Sequence, residues 1–247
     1  MLVLGIETST TQGGVALVGE EGLVSEYTLN VEATHSERVL PAIDRMLQDA
    51  GIPLEALGGL AVGIGPGSFT GLRIGLSTAK GLAYATGLPV AAVPTLEAMA
   101  WVLPEARLPI CPVLDARKQE VYAALFQHGP DGLSRLMEDT ALAPEALADR
   151  IRKPTLFLGD GLRTYGDLLH RLLGDRFRLP PLAQRGPRAA CVAELGRQRL
   201  LRGERESVAA LVPSYLRAPE AELRRQAGGP PPWGRAPAAS KGSGGGA

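Results

Sequence analysis

GIGPGSFTGLRIGLSTAKGLA, residues Gly63–Ala83, joins a strand, a glycine turn and a small-residue helix, with Arg73 and Lys80 as its only charges. The strand starts upstream in Gly59–Ile64 (GLAVGI), and Gly65-Pro66-Gly67 supplies a tight turn, Pro66 setting φ and Gly67 tolerating positive φ. Ser68 or Thr70 can cap a helix that begins near Gly71. Two phosphate motifs fail against this loop. Gly71 is followed by Leu72 and Arg73 instead of the Gly-Lys-Ser/Thr of a P-loop. Gly65 and Gly67 are followed next by Gly71, and the first acid after them is Glu97, which does not match a dinucleotide fingerprint. A helix N-terminus could still hold an anion through its free N–H groups, although most such turns only connect a strand to a helix.

Within the helix, Gly71, Gly75, Ala79 and Ala83 recur every fourth residue and form one smooth ridge, while Arg73, Ser77, Lys80 and Tyr84 carry most of its polarity. Gly71, Gly75 and Gly81 together cost such a helix about 2 to 3 kcal/mol against alanine, so close packing must offset them. Two packings fit the ridge: against the helix's own sheet, or against the equivalent helix of another subunit.

Outward from this stretch, 247 residues with 45% hydrophobic content suffice for one large domain or two modest lobes. Twenty-six basic residues balance 26 acidic ones, so no global basic field marks a nucleic-acid or membrane surface. Cys111 and Cys191 form neither a disulfide framework nor a zinc cluster, and reduced buried thiols suit the cytoplasm. The N-terminus MLVLGIETST has no basic leader and meets Glu7 early, reading as a first strand; the longest uncharged run, Ala56 to Leu72, holds six glycines and a proline and is no membrane span.

Apolar alternation predicts strands near Leu2–Ile6, Gly14–Val18 and Leu23–Thr28, an antiparallel start. A helix follows from about His35 to Ala50, with Thr34-His35-Ser36-Glu37 resembling a capping box and Pro41 either kinking it or sitting in its first turn. After the ridge helix come a strand at Val90–Val93 and a helix from about Thr95 to Leu103. The result is a mixed sheet with helices on its faces. The pattern restarts after Pro109: a hairpin of Ile110–Leu114 and Glu120–Phe126 around Asp115-Ala116-Arg117-Lys118, a strand at Leu133–Glu138, a helix at Pro144–Arg152, a strand at Thr155–Leu158 running into Gly159-Asp160-Gly161, and helices at Leu162–Leu173 and Arg188–Leu201. The expected organisation is an N-terminal lobe at 1–105, a smaller C-terminal lobe at 106–217 and a flexible tail at 218–247, in which Trp233 is the one sticky point. Arg185, Arg188, Arg197, Arg199, Arg202 and Arg205 read either as a solvated helical face or as a patch facing nucleic acid. Asp115, Arg117, Lys118 and Glu120 read equally as solvated turn residues or docking contacts, and Tyr215 as packing.

Ile6-Glu7-Thr8-Ser9, GPGSFTGLRIGLSTAKGLA, DARKQEVY and PSYLR closely resemble the TsaB family, formerly YeaZ, over about residues 1–217. The resemblance implies an α/β chain of the two-lobed actin/sugar-kinase/Hsp70-like (ASKHA) fold, each lobe a mixed sheet with flanking helices. It also implies work in the bacterial machinery that places threonylcarbamoyl on N6 of the adenosine beside the tRNA anticodon, as the non-catalytic relative of the transferase TsaD. In TsaD-like relatives a His-x-x-x-His pair after the strand matching Val90–Val93 binds metal; here Thr95 and Met99 take those places, and a hydroxyl and a thioether cannot replace two imidazoles. His35, His128 and His170 are scattered. No metal and no tightly bound cofactor is therefore expected, with ATP and metal handled by partners. Glu7, Thr8, Ser9 and Thr10 keep part of a kinase-type phosphate hairpin and are candidates for weak nucleotide or anion contacts. Asp115-Ala116-Arg117 lacks the glycine of the second hairpin, and Gly159-Asp160-Gly161 is only a weak match to an adenosine loop. Family members use the helix matching Gly71–Ala83 and the helix before it to pair with TsaD, and with themselves when TsaD is absent. The resemblance thus turns the ridge, with Gly71, Arg73, Gly75, Ala79 and Ala83, into the expected partner interface. The expected partners are TsaD, the ATPase TsaE in the larger complex, a second copy of the chain, and tRNA indirectly. The alternative of another class is an independent ATP-dependent small-molecule kinase of the same fold; a free-standing peptidase lacks any nucleophile-base or metal constellation.

Overall fold

In the computed structural model, residues 1–30, 38–130 and 132–217 are described. The expected capping box at 34–37 and the tail at 218–247 lie outside them. The first sheet contains β1 (Val3–Glu7), β2 (Gln12–Gly19), β3 (Gly22–Asn30), β4 (Gly59–Gly65) and β5 (Val90–Pro94), in the order β3-β2-β1-β4-β5. β1, β2 and β3 are antiparallel neighbours, whereas β4 and β5 join in parallel through helical crossovers. The second sheet contains β6 (Ile110–Arg117), β7 (Glu120–Gly129), β8 (Gly132–Leu142), β9 (Thr155–Leu158) and β10 (Phe177–Arg178), in the order β10-β9-β6-β7-β8. Read from its hairpin side, this repeats the first sheet strand for strand. β8 runs further than the sequence pattern indicated, and β10, two residues long, is too short for periodicity to reveal.

The helices are α1 (Val39–Ala50), α2 (Phe69–Thr86), α3 (Thr95–Ala100), α4 (Pro144–Ala148), α5 (Gly161–Leu173) and α6 (Ala189–Leu201). Pro41 lies in the first turn of α1, where its missing N–H leaves no helical bond unmade. Period-two alternation divides the first sheet between two cores. Leu4, Ile6, Leu60 and Val62 meet α1 and α2 on one face, while Val3, Ala61, Ala91 and Val93 meet α6 on the other.

α6 corrects the expected lobe boundary. Although it follows the second sheet in sequence, it packs on the first, because small residues let the two surfaces approach: Gly196 lies on Ala61, and Ala189 and Ala193 lie on Gly5. The chain beyond it stays with the first lobe, where Glu206 pairs with Val90, the Ser214 N–H donates to Ile64 O, and Leu211 enters the α1–α2 core. The second lobe therefore ends before α6.

α3 joins the lobes. Leu96, Met99, Ala100 and Leu103 share a core with Ile110, Leu114, Phe126 and Leu158 of the second sheet. Alongside, Arg199 of α6 donates to both Glu97 carboxylate oxygens at 3.0 Å, and Arg135 of β8 lies 3.8 Å from Glu97. Arg135 also pairs with Asp139 and stacks its guanidinium over Phe126, 4.6 Å from the ring centroid.

Candidate functional site

α2 opens where β4 ends. The Gly65–Pro66 peptide bond is cis, Ser68 is the N-cap, and its Oγ accepts from the Gly71 N–H at 3.3 Å. Gly71, Gly75, Ala79 and Ala83 are all buried, and Ala79 and Ala83 belong to the core of their own lobe. A β-carbon on Gly71 would lie 2.0 Å from Thr8 O, and one on Gly75 would lie 2.4 Å from Thr8 Oγ1. Thr8 Oγ1 in turn donates to Gly71 O at 2.8 Å. This corrects the expectation that the ridge is the partner interface: the ridge exists so that the Thr8 turn can lie flat against α2. Of the five residues expected there, Arg73 alone faces outward.

The face of α2 available to a partner is the opposite one. Thr70, Arg73, Ser77, Gly81 and Tyr84 are exposed along it, Tyr84 at 90%, and a β-carbon on Gly81 would meet nothing within 4 Å. The position of Gly81 off the buried ridge is the sequence signal for this face. At the helix start Phe69 stacks on Tyr215 at 5.3 Å, and Arg73 covers the Phe69 ring at 3.9 Å while donating from Nε to Tyr215 Oη at 3.2 Å. Tyr215 thus packs, as expected, and fastens the PSYLR segment to α2. Beside this face, Leu40, Ile43, Leu47, Ile52, Leu54 and Leu82 line a shallow groove of about 620 Å³ between α1 and α2. Leu40 is 53% exposed, although it sits on an otherwise amphipathic helix.

Glu7, Thr8, Ser9 and Thr10 are buried, at most 4% exposed. Glu7 Oε1 accepts from the Ser9 N–H at 2.6 Å, Ser9 O accepts from the Ser68 N–H at 2.6 Å, and Thr10 Oγ1 donates to Gln12 O at 2.7 Å. Thr8 Oγ1 and Ser9 O hold the β1–β2 turn against α2, while Ser9 Oγ is buried with no hydrogen-bond partner among the described residues. Thr95 Oγ1 is likewise internal and accepts from the Gly65 N–H at 3.2 Å, while Met99 is fully buried beneath Gly159. Neither side chain is placed to hold a cation, and among the described residues no group of three His, Cys, Asp or Glu could hold one.

A second, larger cleft of about 750 Å³ runs between the β1–β2 turn and α5, lined by Gln12, Asp160, Arg163, His170, Phe177 and Leu182 among others. Asp160 accepts from the Asp115 N–H at 3.3 Å; burial pushes its carboxyl above the usual range, that hydrogen bond opposes the shift, and the nearby Asp115 charge adds to it. Of the phosphate and adenosine loop candidates, Thr10, Gly159 and Asp160 line this cleft, but Glu7, Thr8, Ser9, Arg117 and Lys118 do not. Arg117, Lys118 and Gln119 all take φ near +60° at the β6–β7 turn, where side chains cost energy that glycine would not. Of the arginines considered as a nucleic-acid patch, Arg188 pairs with Glu26, Arg197 with Glu194 and Arg199 with Glu97 within the fold, whereas Arg202 pairs with Glu204 at the exposed surface.

Two lobes of matching topology, each a mixed sheet opened by a hairpin, with helices on the sheet faces and a cleft between, define an actin/sugar-kinase/Hsp70-like protein. Component A of (R)-2-hydroxyglutaryl-CoA dehydratase from Acidaminococcus fermentans shares this fold, with a TM-score of 0.50 at 12% identity over 81% of this chain and 99% of that one. YeaZ from Pseudomonas aeruginosa is far more similar, with a TM-score of 0.72 and 27% identity over 87% of this chain and 99% of its own. The family described as TsaD, tRNA N6-adenosine threonylcarbamoyltransferase, matches residues 23–225. The tRNA threonylcarbamoyladenosine biosynthesis protein TsaB of Bacillus subtilis is 35% identical over 91% of this chain and 97% of its own length, and that of Escherichia coli 34% identical over 88% and 95%. The chain belongs to the TsaB (YeaZ) family of tRNA threonylcarbamoyladenosine biosynthesis proteins, within the wider TsaD family.

Proposed function

We propose that this chain is a non-catalytic, activating subunit that binds TsaD and, with TsaE, enables transfer of threonylcarbamoyl from its adenylate to N6 of the adenosine beside the tRNA anticodon. The observation that carries the reading is the division of labour on α2: its glycine ridge serves the fold, and its outward face with Gly81, Tyr84 and the adjoining leucine groove is left for a partner. A bare helix stretch at Gly81 lets another helix approach closely, Tyr84 offers a large amphipathic contact, and Arg73, held by Phe69 and Tyr215, supplies a fixed charge. The same face would serve self-pairing when TsaD is absent.

Glu7 to Thr10 are internal to the fold, and Thr95 and Met99 are core residues with no fit to a divalent cation, so no step of transfer is assigned to them. The chain's part is to present a preformed surface to TsaD, with ATP and metal handled by partners. The test is complex formation between TsaD and Gly81→Leu or Tyr84→Glu variants, followed by light scattering after gel filtration. Both variants should remain folded and lose the complex; unchanged pairing in both would overturn this interface.

A further inference from the structure

We propose that the far end of the second lobe contacts tRNA directly through the phosphate backbone, using Arg152, Lys153, Arg171 and Arg178. This rests on the tRNA-modification reading above and extends it from a scaffold that tRNA meets only through its partners to one that touches the nucleic acid.

Charge is balanced over the whole chain, yet residues 149–188 hold nine Arg or Lys against four Asp and no Glu. The fold gathers part of this excess at one end of the second sheet. Arg152 and Lys153 lie just before β9 begins, Arg171 is in the last turn of α5, and Arg178 is in β10, which pairs in parallel with β9 in the register Arg178↔Leu156. Arg176 ties these segments together, its Nη1 donating to Ile151 O at 2.5 Å and its Nε to Leu173 O at 3.4 Å. The loop before β9 and the end of α5 are therefore fixed side by side over a shared core of Leu147, Ile151, Leu169 and Leu173.

Unlike the arginines of α6, these cations are not taken up by the fold. Arg152, Lys153 and Arg171 are exposed and have no carboxylate within 4.0 Å among the described residues. Arg178 has only the fully exposed Asp175 at 3.9 Å, a pairing of little strength in water. Leu172 and Leu179 are the large apolar side chains exposed next to Arg171 and Arg178, with Leu182 further along the chain, so the four cations are interleaved with apolar groups. Unpaired cations held on a rigid support suit a polyanion bound through its phosphates and without base readout. Arg171 also complements the C-terminal dipole of α5, so the test must separate stability from binding.

The experiment measures binding of a fluorescent tRNA transcript with an adenosine beside its anticodon, by anisotropy across a salt series, to the chain in complex with TsaD and to the chain alone. The variant is the triple Arg152→Glu, Lys153→Glu, Arg171→Glu; the control reverses the same number of charges elsewhere, at Arg107, Arg202 and Arg205. The triple variant should keep its melting temperature within a few degrees and still bind TsaD. Its tRNA affinity should fall at least about tenfold near 0.1 M salt, and the slope of log K against log salt should become shallower by about two. The control should change affinity by less than about threefold. Equal losses in both variants, or unchanged affinity and slope in the triple variant, would overturn the proposal. Should the chain fail to bind TsaD at all, the interface reading falls, while the tRNA comparison on the chain alone still decides this one.

Discussion

Thr8 and Gly75 form one unit at the residue scale. Because Thr8 Oγ1 donates to Gly71 O and sits where a Gly75 β-carbon would go, Gly75→Ala should destabilise the protein by about 1–3 kcal/mol despite alanine's better helix propensity. Gly75→Leu should fail to fold. Adding Thr8→Ala to Gly75→Ala should recover part of the loss, a coupling that urea unfolding of the two single variants and the double variant would measure. Asp160 offers a pH test. Its carboxyl is raised in the folded state by burial above the ordinary 3.8, so between that value and the raised one the folded chain holds more protons than the unfolded chain. Stability from this group is therefore present at low pH and lost as pH rises through the window. Asp160→Asn keeps the acceptor for the Asp115 N–H and should remove that slope, leaving stability at neutral pH equal to or above that of the parent; an unaltered pH profile would contradict the assignment.

Among the elements, α2 shows what a sequence can and cannot disclose. Its spacing made a glycine ridge plain, and the physical cost of three glycines showed that something must press against it. Which body did so was not legible, since an own sheet and a foreign helix ask for the same small residues; only the position of Thr8 beneath Gly71 and Gly75 decided it. Gly81 now stands apart. Gly81→Ala should stabilise the isolated chain by about 1 kcal/mol, because the added methyl enters open space and helix propensity improves; thermal melting of the isolated chain checks this, and destabilisation would show that the outward face is not free. α3 and α6 make a second testable element through Glu97. Glu97→Ala would leave Arg199 and Arg135 without a shared carboxylate across the lobe junction and should cost about 1–3 kcal/mol, with faster amide exchange in α3 and β8. The membership of α6 in the first lobe was invisible in chain order, since sequence adjacency says nothing about which sheet a small-residue helix will cover.

Across the whole molecule, the repeated topology was legible from two hairpin patterns with helices between strands, whereas β6, β7 and β8 each run past the expected bounds because pairing continues where the apolar alternation fades. The candidate site was less legible, because buried Glu7, Ser9 and Thr10 have the composition of a phosphate-binding turn and differ from one only in their burial. The central claim is that the chain acts by pairing with TsaD and carries out no chemistry itself. The most direct measurement is threonylcarbamoyl transfer to tRNA by cognate TsaD and TsaE, supplied with preformed threonylcarbamoyl adenylate and ATP, with and without this chain. Transfer that depends on the chain, with none from the chain alone, is the predicted result; transfer that proceeds equally without it would contradict the account.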